Sequence, residues 1–237
     1  MQTPSPSLVS TAPVVIITGA GSGIGRATAS LFAEQKAGLV LVGRRPAPLE
    51  EAAEGAREKG ATAITLAEDV TCSGGAERIV SGTLQHFSGI DCLVNNAGVA
   101  GEGVPLDEVS DALWSEIIET NLAAPFRIMR AVLPVFARQG RGVIVNVSST
   151  AGLVPMRHMA AYAASKAGLI ALTRAVARDY GIYGVRCNCV CPGVTHTPMT
   201  AHTLQDLDRR RAILSGIPLG RIGQASDIAR MIVHLSG

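Results

Sequence analysis

Residues 14–25 read VVIITGAGSGIG. The first four are β-branched and apolar, which is typical of a buried strand, and the four glycines that follow allow a tight turn. Helical spacing of apolar residues then begins at Ile24 and continues to Lys36. A strand, a glycine-rich turn and a helix in this order predict the opening unit of a parallel α/β sheet, with the N-terminus of the helix available to an anion.

The same alternation runs through the rest of the chain. Short apolar or β-branched runs predict strands at residues 14–17, 39–42, 63–66, 92–94, 143–147 and 185–190. Helical spacing predicts helices at residues 24–36, 49–59, 75–87, 107–138, 159–180 and 225–235, the fourth interrupted near Pro125. Strict alternation predicts a Rossmann-like, doubly wound parallel sheet with helices on both faces, in a single domain. Ligands of such sheets bind beyond the carboxyl ends of the strands.

Composition favours small-molecule chemistry. The 237 residues carry a formal net charge of +2 and 17% charged residues, so no strong field attracts nucleic acid or an anionic membrane. Apolar runs such as residues 14–17 and 39–42 are far shorter than the roughly 20 residues of a membrane span. We therefore expect a small-molecule substrate, with neither nucleic acid nor membrane as a partner.

The start of the chain and the cysteines favour a cytoplasmic location. Residues 1–12, MQTPSPSLVSTA, lack the basic start and apolar stretch of a signal peptide, so we expect a flexible tail before a domain at residues 13–237. Five cysteines without an export signal favour reduced thiols. Cys187, Cys189 and Cys191 alternate along a predicted strand, which places them in a row on one face. Such a row packs against a core and does not converge on a metal, so we expect no metal site.

The glycine turn from Thr18 to Gly25 is a candidate phosphate cradle. Its glycines let the backbone approach a pyrophosphate, whose charge is met by the helix N-terminus. The spacing is T-G-x-x-x-G-I-G and not G-x-G-x-x-G, because residue 24 is Ile, and no Lys-Ser/Thr pair follows as in a P-loop. A plain strand-to-helix connection also uses glycines, but the position between the first strand and the first helix favours a dinucleotide.

Tyr162 and Lys166 are a candidate catalytic pair. They stand four residues apart in a predicted helix, so both side chains project from one face. Ser149 follows the preceding predicted strand and stands thirteen residues before Tyr162. The sequence therefore predicts a hydroxyl, a phenol and an ammonium group in one functional site.

These motifs together resemble the short-chain dehydrogenase/reductase family. The resemblance extends from about residue 14 to the C-terminus and includes the glycine turn, N-N-A-G at residues 95–98 and Y-x-x-x-K at residues 162–166. It implies an NAD(P)-dependent oxidoreductase that interconverts a carbonyl and a secondary alcohol by hydride transfer, with Tyr162 as general acid and base. The catalytic residues that it implies are Asn121, Ser149, Tyr162 and Lys166.

The resemblance also implies cofactor contacts and an assembly. The contacts are Gly19, Ser22, Gly23, Ile24, Gly25, Asp69, Val70, Asn96, Ala97, Gly98, Tyr162, Lys166, Pro192, Gly193, Thr195 and Thr197. The segment at residues 194–216, called the flap below, is the natural candidate for a mobile cover over the site. Members of the family assemble as dimers or tetramers, so we expect a homo-oligomer, either a homotetramer or a dimer.

The residues after the second predicted strand bear on the choice of cofactor. A carboxylate there accepts a hydrogen bond from the ribose 2′-hydroxyl, whereas an arginine pairs with a 2′-phosphate. Arg44 and Arg45 occupy this place, so both are predicted cofactor contacts and NADP(H) is favoured over NAD(H). The alternative is solvated surface charge, and Ser22 stands where many NADP-dependent relatives have a basic residue.

Carbonyl reduction needs a hydride on carbon and a proton on oxygen. A free tyrosine with a pKa of about 10 relays a proton poorly near neutral pH. A positive charge about 6 Å away is worth roughly 2.8 kcal/mol at an effective dielectric constant of about 20, or about two pKa units. We therefore expect Lys166 to lower the pKa of Tyr162 and Ser149 to hydrogen-bond the reacting oxygen. Asn121 would position a water that returns the proton through Lys166.

The substrate and two alternative functions stay open. Residues 99–105, 153–159 and 194–216 should shape the substrate pocket, with an apolar wall from the leucine, valine and methionines of residues 153–159. The fold could also serve a non-enzymatic NADP(H)-sensing protein, or an epimerase or dehydratase. Because the sequence stops after the predicted helix 225–235, we expect the family's final strand to be missing and one sheet edge to be unpaired.

Overall fold

The computed structural model describes residues 12–101 and 103–237. The first eleven residues of the predicted N-terminal tail lie outside the described residues. Six strands form the main sheet, and each predicted strand is confirmed with ends that differ by at most one residue. They are β1 (Val14–Thr18), β2 (Gly38–Gly43), β3 (Thr62–Ala67), β4 (Cys92–Asn95), β5 (Gly142–Val147) and β6 (Val185–Val190).

Helices follow the strands in strict alternation as far as β6. They are α1 (Gly23–Glu34), α2 (Pro46–Glu58), α3 (Gly75–His86), α4 (Asp111–Ile118), α5 (Ala124–Gln139), α6 (Ala160–Tyr180), α7 (Ala201–Gln205), α8 (Leu207–Ser215) and α9 (Ala225–Ser236). No helix within residues 12–101 and 103–237 combines the length and the apolar character that crossing a membrane requires.

The strands pair in parallel in the order β3-β2-β1-β4-β5-β6. The chain extends from β1 to one edge of the sheet and then resumes at β4 on the other side of β1, so the strand order reverses between β1 and β4. This topology confirms the predicted doubly wound α/β fold. A crevice at the carboxyl ends of β1 and β4 is where such a sheet binds its ligand.

Alternate residues of each strand face opposite layers of helices. Ile16 and Val40 pack in the cluster that contains residues of α3, α5 and α6, whereas Val15 and Leu39 pack with α1, α2 and α9. All four side chains are fully buried, and burying a side chain of this size is worth about 1.5–3 kcal/mol. The sheet is therefore a rigid platform for the loops at its carboxyl end.

The predicted helix at residues 107–138 is interrupted close to Pro125, as expected, but its first α-helical residue is Asp111. A short 3₁₀ turn at Leu106–Glu108 and α4 are followed by one π-helical turn at Glu119–Ala123, after which α5 continues. Pro125 lies in the first turn of α5, where its missing N–H is tolerated, so the irregularity precedes the proline. Such π turns often occur at functional sites, and this one contains Asn121.

A second, very small sheet joins the two ends of the segment after β6. Strand β7 (Thr195–His196) pairs in parallel with β8 (Gly223–Gln224), and α7 and α8 lie between them. The chain therefore leaves the main body and returns to it at the same place. Most of the predicted flap lies within this closed excursion.

Candidate active site

The glycine turn follows β1 and opens α1, as predicted. Gly19 and Gly23 have φ angles of 65° and 53°, a conformation that side chains with a Cβ rarely adopt. A Cβ at Gly25 would overlap the carbonyl oxygen of Gly19. These positions leave the backbone bare at the N-terminus of α1, which is the geometry that accepts a diphosphate.

Side-chain hydrogen bonds lock the carboxyl ends of β1 and β4 together beside this turn. The backbone N–H groups of Asn96 and Ala97 each donate to Thr18 Oγ1 at 3.0 Å. Asn96 Nδ2 returns a hydrogen bond to the Thr18 carbonyl at 2.9 Å. The N-N-A-G motif therefore holds the switch point of the sheet in one arrangement.

The ends of β2 and β3 form the charged end of the cleft. Arg44 and Arg45 are exposed and have no ion-pair partner within the described residues. Asp69 accepts hydrogen bonds from the Thr71 backbone N–H at 2.9 Å and from its hydroxyl at 2.8 Å. The bond from the Thr71 backbone is the main cause of a lowered pKa of Asp69, to which the nearby Arg44 also contributes.

Lys166 lies buried at the opposite end of the cleft. Its ammonium donates to the Val147 carbonyl at 2.9 Å and lies 5.6 Å from the centroid of the Tyr162 ring. Burial lowers the pKa of Lys166 to about 8, although the neighbouring Cys189 and Cys191 act in the opposite direction. The predicted proximity of the phenol and the ammonium is present, at close to the distance expected from the sequence.

The pKa of Tyr162 differs from the expectation. Burial raises it above its ordinary value, and a side-chain hydrogen bond with Ser149 only partly opposes that rise. The expectation considered the charge of Lys166 but not the removal of the phenol from water, which disfavours the phenolate. Burial therefore decides the direction of the pKa shift of Tyr162, which is opposite to the expected one.

Asn121 sits behind the cleft wall on the π turn. Its Oδ1 accepts from the Val99 backbone N–H at 2.8 Å, and its Nδ2 donates to the Val99 carbonyl at 2.8 Å and to Ser165 Oγ at 3.1 Å. Both amide hydrogens are thus committed to the protein, which leaves one lone pair of Oδ1 for any water. The predicted water-positioning role stays a prediction, restricted to that lone pair.

The base of the flap closes the remaining side. Thr195 Oγ1 donates to the Gly193 carbonyl at 3.0 Å, and Thr200 Oγ1 donates to the Thr195 carbonyl at 2.6 Å. A Cβ at Gly23 would lie 3.3 Å from Thr197 Cβ, so the flap base rests against the glycine turn. The segment after β6 and the segment after β1 therefore share one cleft.

A single cleft of about 630 Å³ brings the predicted residues together. Of the predicted site residues only Gly25 and Asn121 do not line it. Among the lining residues that sequence reasoning missed, two groups lie near Lys166 and on α4. They are Val147 and Ser148 at the end of β5, and Ser115, Glu116, Glu119 and Thr120 on α4 and the π turn. Nothing in the sequence marked the α4 face, because a helix face near a cleft has no motif of its own.

Known proteins match this chain over most of its length. A family model described as short chain dehydrogenase matches residues 13–208. The 2-(R)-hydroxypropyl-CoM dehydrogenase of Xanthobacter autotrophicus is 37% identical over 234 residues, which cover 94% of this chain and 91% of the relative.

Solved structures match equally well. The structure of NAD⁺-bound xylitol dehydrogenase has a TM-score of 0.90 at 30% identity, covering 95% of this chain and 92% of the other. The structure of a single-substitution variant of actinorhodin polyketide ketoreductase with NADPH has a TM-score of 0.90 at 33% identity, covering 95% and 90%.

Proposed function

This chain belongs to the short-chain dehydrogenase family, and on that premise we propose an NADP(H)-preferring enzyme in which Tyr162 transfers the proton. As a member of the family it is an NAD(P)-dependent oxidoreductase that interconverts a carbonyl and an alcohol. One observation carries the residue roles: the phenol of Tyr162, the ammonium of Lys166 and the hydroxyl of Ser149 meet in the cleft that begins at the glycine turn.

The residues present fit a nicotinamide dinucleotide. Gly19 and Gly23 line the cleft with bare backbone at the N-terminus of α1, and exposed arginines stand at the far end of the same cleft. Gly19, Ser22, Gly23 and Ile24 would hold the diphosphate, and Pro192, Gly193, Thr195 and Thr197 would border the nicotinamide. When bound, the nicotinamide donates or accepts the hydride.

Proton transfer falls to the chain's own side chains. In the reductive direction the Tyr162 hydroxyl donates a proton to the carbonyl oxygen, and in the oxidative direction the phenolate removes it from the alcohol. Ser149, whose hydroxyl lies beside the Tyr162 phenol in the cleft, would bind the same substrate oxygen and fix its distance from the phenol. The two hydroxyls thereby orient the reacting group.

Lys166 makes the phenol a better proton relay. Its ammonium, 5.6 Å from the ring, favours the phenolate by about 3 kcal/mol at an effective dielectric constant of about 20. Because the pKa of Lys166 is about 8, the side chain is mostly charged at neutral pH. This attraction opposes the raised pKa that burial gives Tyr162, and it brings the proton transfer closer to the physiological range.

Arg44 and Arg45 support a preference for NADP(H). Both guanidinium groups are exposed at the cleft and carry no ion pair within the described part of the chain, so a 2′-phosphate would meet two uncommitted charges. Asp69 lies close enough to Arg44 to have its pKa lowered by it, but hydrogen bonds from Thr71 already engage its carboxylate. The similar structures include both an NAD⁺-bound and an NADPH-bound enzyme, which leaves the decision to these residues.

The substrate is a small carbonyl compound or alcohol that enters beneath the flap. Met199 lines the cleft and is half exposed, and the segment between Ser149 and Tyr162 exposes Leu153, Val154 and Met156. These side chains favour a substrate with apolar surface near the reacting carbon. The flap at residues 194–216 would cover it during the reaction.

The proposal includes a homo-oligomer in the cytoplasm. Trp114 on α4 and Phe126 on α5 expose 42% and 43% of their surface, which is unusual for large aromatic side chains and suits a subunit contact. All five cysteines are free, which agrees with a reducing compartment. A tetramer or a dimer would appear as a multiple of 24.5 kDa in light scattering.

One panel of assays tests the function. The absorbance of the reduced nicotinamide is followed with NADPH and with NADH against diketones, 3-oxoacyl thioesters, steroids and sugars. We expect turnover with at least one class and a higher kcat/KM with NADPH. Turnover that is equal or faster with NADH would overturn the cofactor preference. Tight NADPH binding without turnover of any class would instead support a sensing protein.

A further inference from the structure

We propose that Ser148 is a positioning residue that fixes Lys166 against the sheet; this inference rests on the role proposed above for Lys166. Ser148 Oγ donates to the backbone carbonyl of Lys166 at 2.8 Å. The ammonium of the same lysine donates to the carbonyl of Val147 at 2.9 Å. Two consecutive residues at the end of β5 therefore hold both ends of Lys166, its peptide group and its charge.

Burial makes this contact hard to replace. Ser148 and Lys166 are each only 4% exposed, and both hydrogen bonds are buried. Because so little of Ser148 is exposed, removing its hydroxyl takes a buried partner from the Lys166 carbonyl and weakens the attachment of the helix to the strand at this point. At the surface, water would replace the lost hydroxyl as hydrogen-bond partner, and little free energy would be lost.

The strand side of the contact is itself fixed. The backbone N–H of Ser148 donates to the Val190 carbonyl at 2.8 Å, which ties it to the end of β6. A Cβ at Gly152 would lie 2.8 Å from the carbonyl carbon of Lys166 and 2.9 Å from the nitrogen of Ala167. The peptide that follows Lys166 is thus enclosed between the Ser148 hydroxyl and the bare backbone of Gly152.

Ser148 and Ser149 therefore have different tasks. Ser149 Oγ accepts from the Ala151 backbone N–H at 3.1 Å and lies close enough to the Tyr162 phenol to lower its pKa, whereas Ser148 donates to the backbone of α6. Only the first of these hydroxyls meets the group that transfers the proton. The second acts through Lys166, by setting how far the ammonium reaches toward the phenol.

A small movement of Lys166 has a measurable result. The titratable groups that face its ammonium are Tyr162 on α6 and Cys189 and Cys191 at the end of β6. A retreat of about 1 Å from the present 5.6 Å separation raises the midpoint of Tyr162 ionisation by about 0.3 of a pH unit. A misplacement of that size also lowers kcat by about tenfold.

Three variants of Ser148 test the proposal. Ser148→Ala removes the hydroxyl, Ser148→Thr keeps it, and Ser148→Cys keeps the volume with a weak donor, which provides a second test if the alanine variant does not fold. We expect kcat to fall about tenfold in Ser148→Ala and less in Ser148→Cys, and to be largely restored in Ser148→Thr. In all three variants the KM for NADPH should change less than twofold.

A second readout does not depend on turnover. Ultraviolet absorbance titration of the protein without cofactor reports tyrosine ionisation, and subtraction of the Tyr162→Phe spectrum isolates Tyr162. We expect an upward shift of about 0.3 of a pH unit in Ser148→Ala and almost none in Ser148→Thr.

The matched control is Thr83→Ala on α3. Thr83 is fully buried and donates to the Ile79 carbonyl at 2.7 Å, far from the cleft lining. This variant should lose stability yet keep kcat and the Tyr162 titration. A Ser148→Ala variant that matches the wild type in both readouts, or that loses no more kcat than Thr83→Ala, would overturn the positioning role, and Ser148→Cys decides in the same way if the alanine variant does not fold. Full activity of Tyr162→Phe would instead overturn the proposed function. In that case the ultraviolet titration would still test the positioning role of Ser148.

Discussion

The two ends of the cleft differ in how far their charged side chains are buried and in whether those side chains have partners within the described residues. At one end Lys166 is buried and Tyr162 is half-buried, and the lysine is tied to backbone groups at both ends. Around Arg44 and Arg45 the charged groups are exposed and carry no ion pair within the described residues. Water screens charges at the second end but not at the first. The same kind of substitution should therefore have a large effect at one end and a small effect at the other.

The largest expected effect sharpens the contrast at the buried end. Tyr162→Phe keeps the ring and its packing but removes the hydroxyl that would carry the proton. We expect kcat to fall about 1,000-fold, within the range of general acid and base catalysis, while NADPH still binds. Stopped-flow turnover and fluorescence titration of NADPH measure the two quantities. A variant that retained a tenth of the wild-type kcat would show that another group transfers the proton.

The next effect concerns the stability cost of the buried ammonium. Burial lowers the pKa of Lys166 from 10.5 to about 8. Below pH 8 the lysine is charged in both states, so the folded protein bears the whole cost of burying that charge. Between about pH 8 and 10.5 only the folded state loses the proton, so this cost falls as the pH rises. The shift corresponds to about 3 kcal/mol.

Lys166→Met should reveal that cost. Relative to wild type, the variant gains most in free energy of unfolding below pH 8, and the gain declines by about 3 kcal/mol toward pH 10.5. Urea unfolding at a series of pH values measures the difference, and subtraction removes the titration of groups common to both chains. Lys59→Met, at a surface lysine paired with Glu34, is the control. An equal pH trend in both variants would contradict the assignment to burial.

The smallest effect tests the exposed end. Arg44→Asp places a carboxylate where a 2′-phosphate would pair with a guanidinium. We expect the ratio of kcat/KM for NADPH to that for NADH to fall about tenfold, equivalent to about 1.4 kcal/mol, because solvent screens part of the interaction. Arg138→Asp, at an exposed position outside the cleft lining, should leave the ratio unchanged. A loss in Arg44→Asp as large as that of Tyr162→Phe would erase the contrast between the two ends.

The fold was predictable because its signals are local. Each of the six strands is a short β-branched or apolar run, and the glycine turn fixes the place where the first strand meets the first helix. The proximity of Tyr162 and Lys166 was predictable for a similar reason, since a spacing of four on a helix directs both side chains to one side. Such local patterns predict secondary structure and side-chain direction without any information about tertiary packing.

The features that escaped prediction depend on packing. The π turn at Glu119–Ala123 has no periodicity that distinguishes it from α-helix. The partner of the Lys166 ammonium is the carbonyl of Val147, and a backbone group has no sequence signature. The direction of the Tyr162 pKa followed from burial, which the sequence does not quantify. In each case the deciding atoms come from segments that are distant along the chain.

The pairing of β7 with β8 determines how freely the segment between them can vary in length. Its parallel pairing closes the excursion between His196 and Gly223 into a loop whose ends stay together whatever lies between them. Each doubling of the length of a loop raises the free-energy cost of bringing its ends together by only about 0.6 kcal/mol. Insertions or deletions between His196 and Gly223 should therefore cost little folding free energy, so that segments of different length can occupy this place on the same sheet.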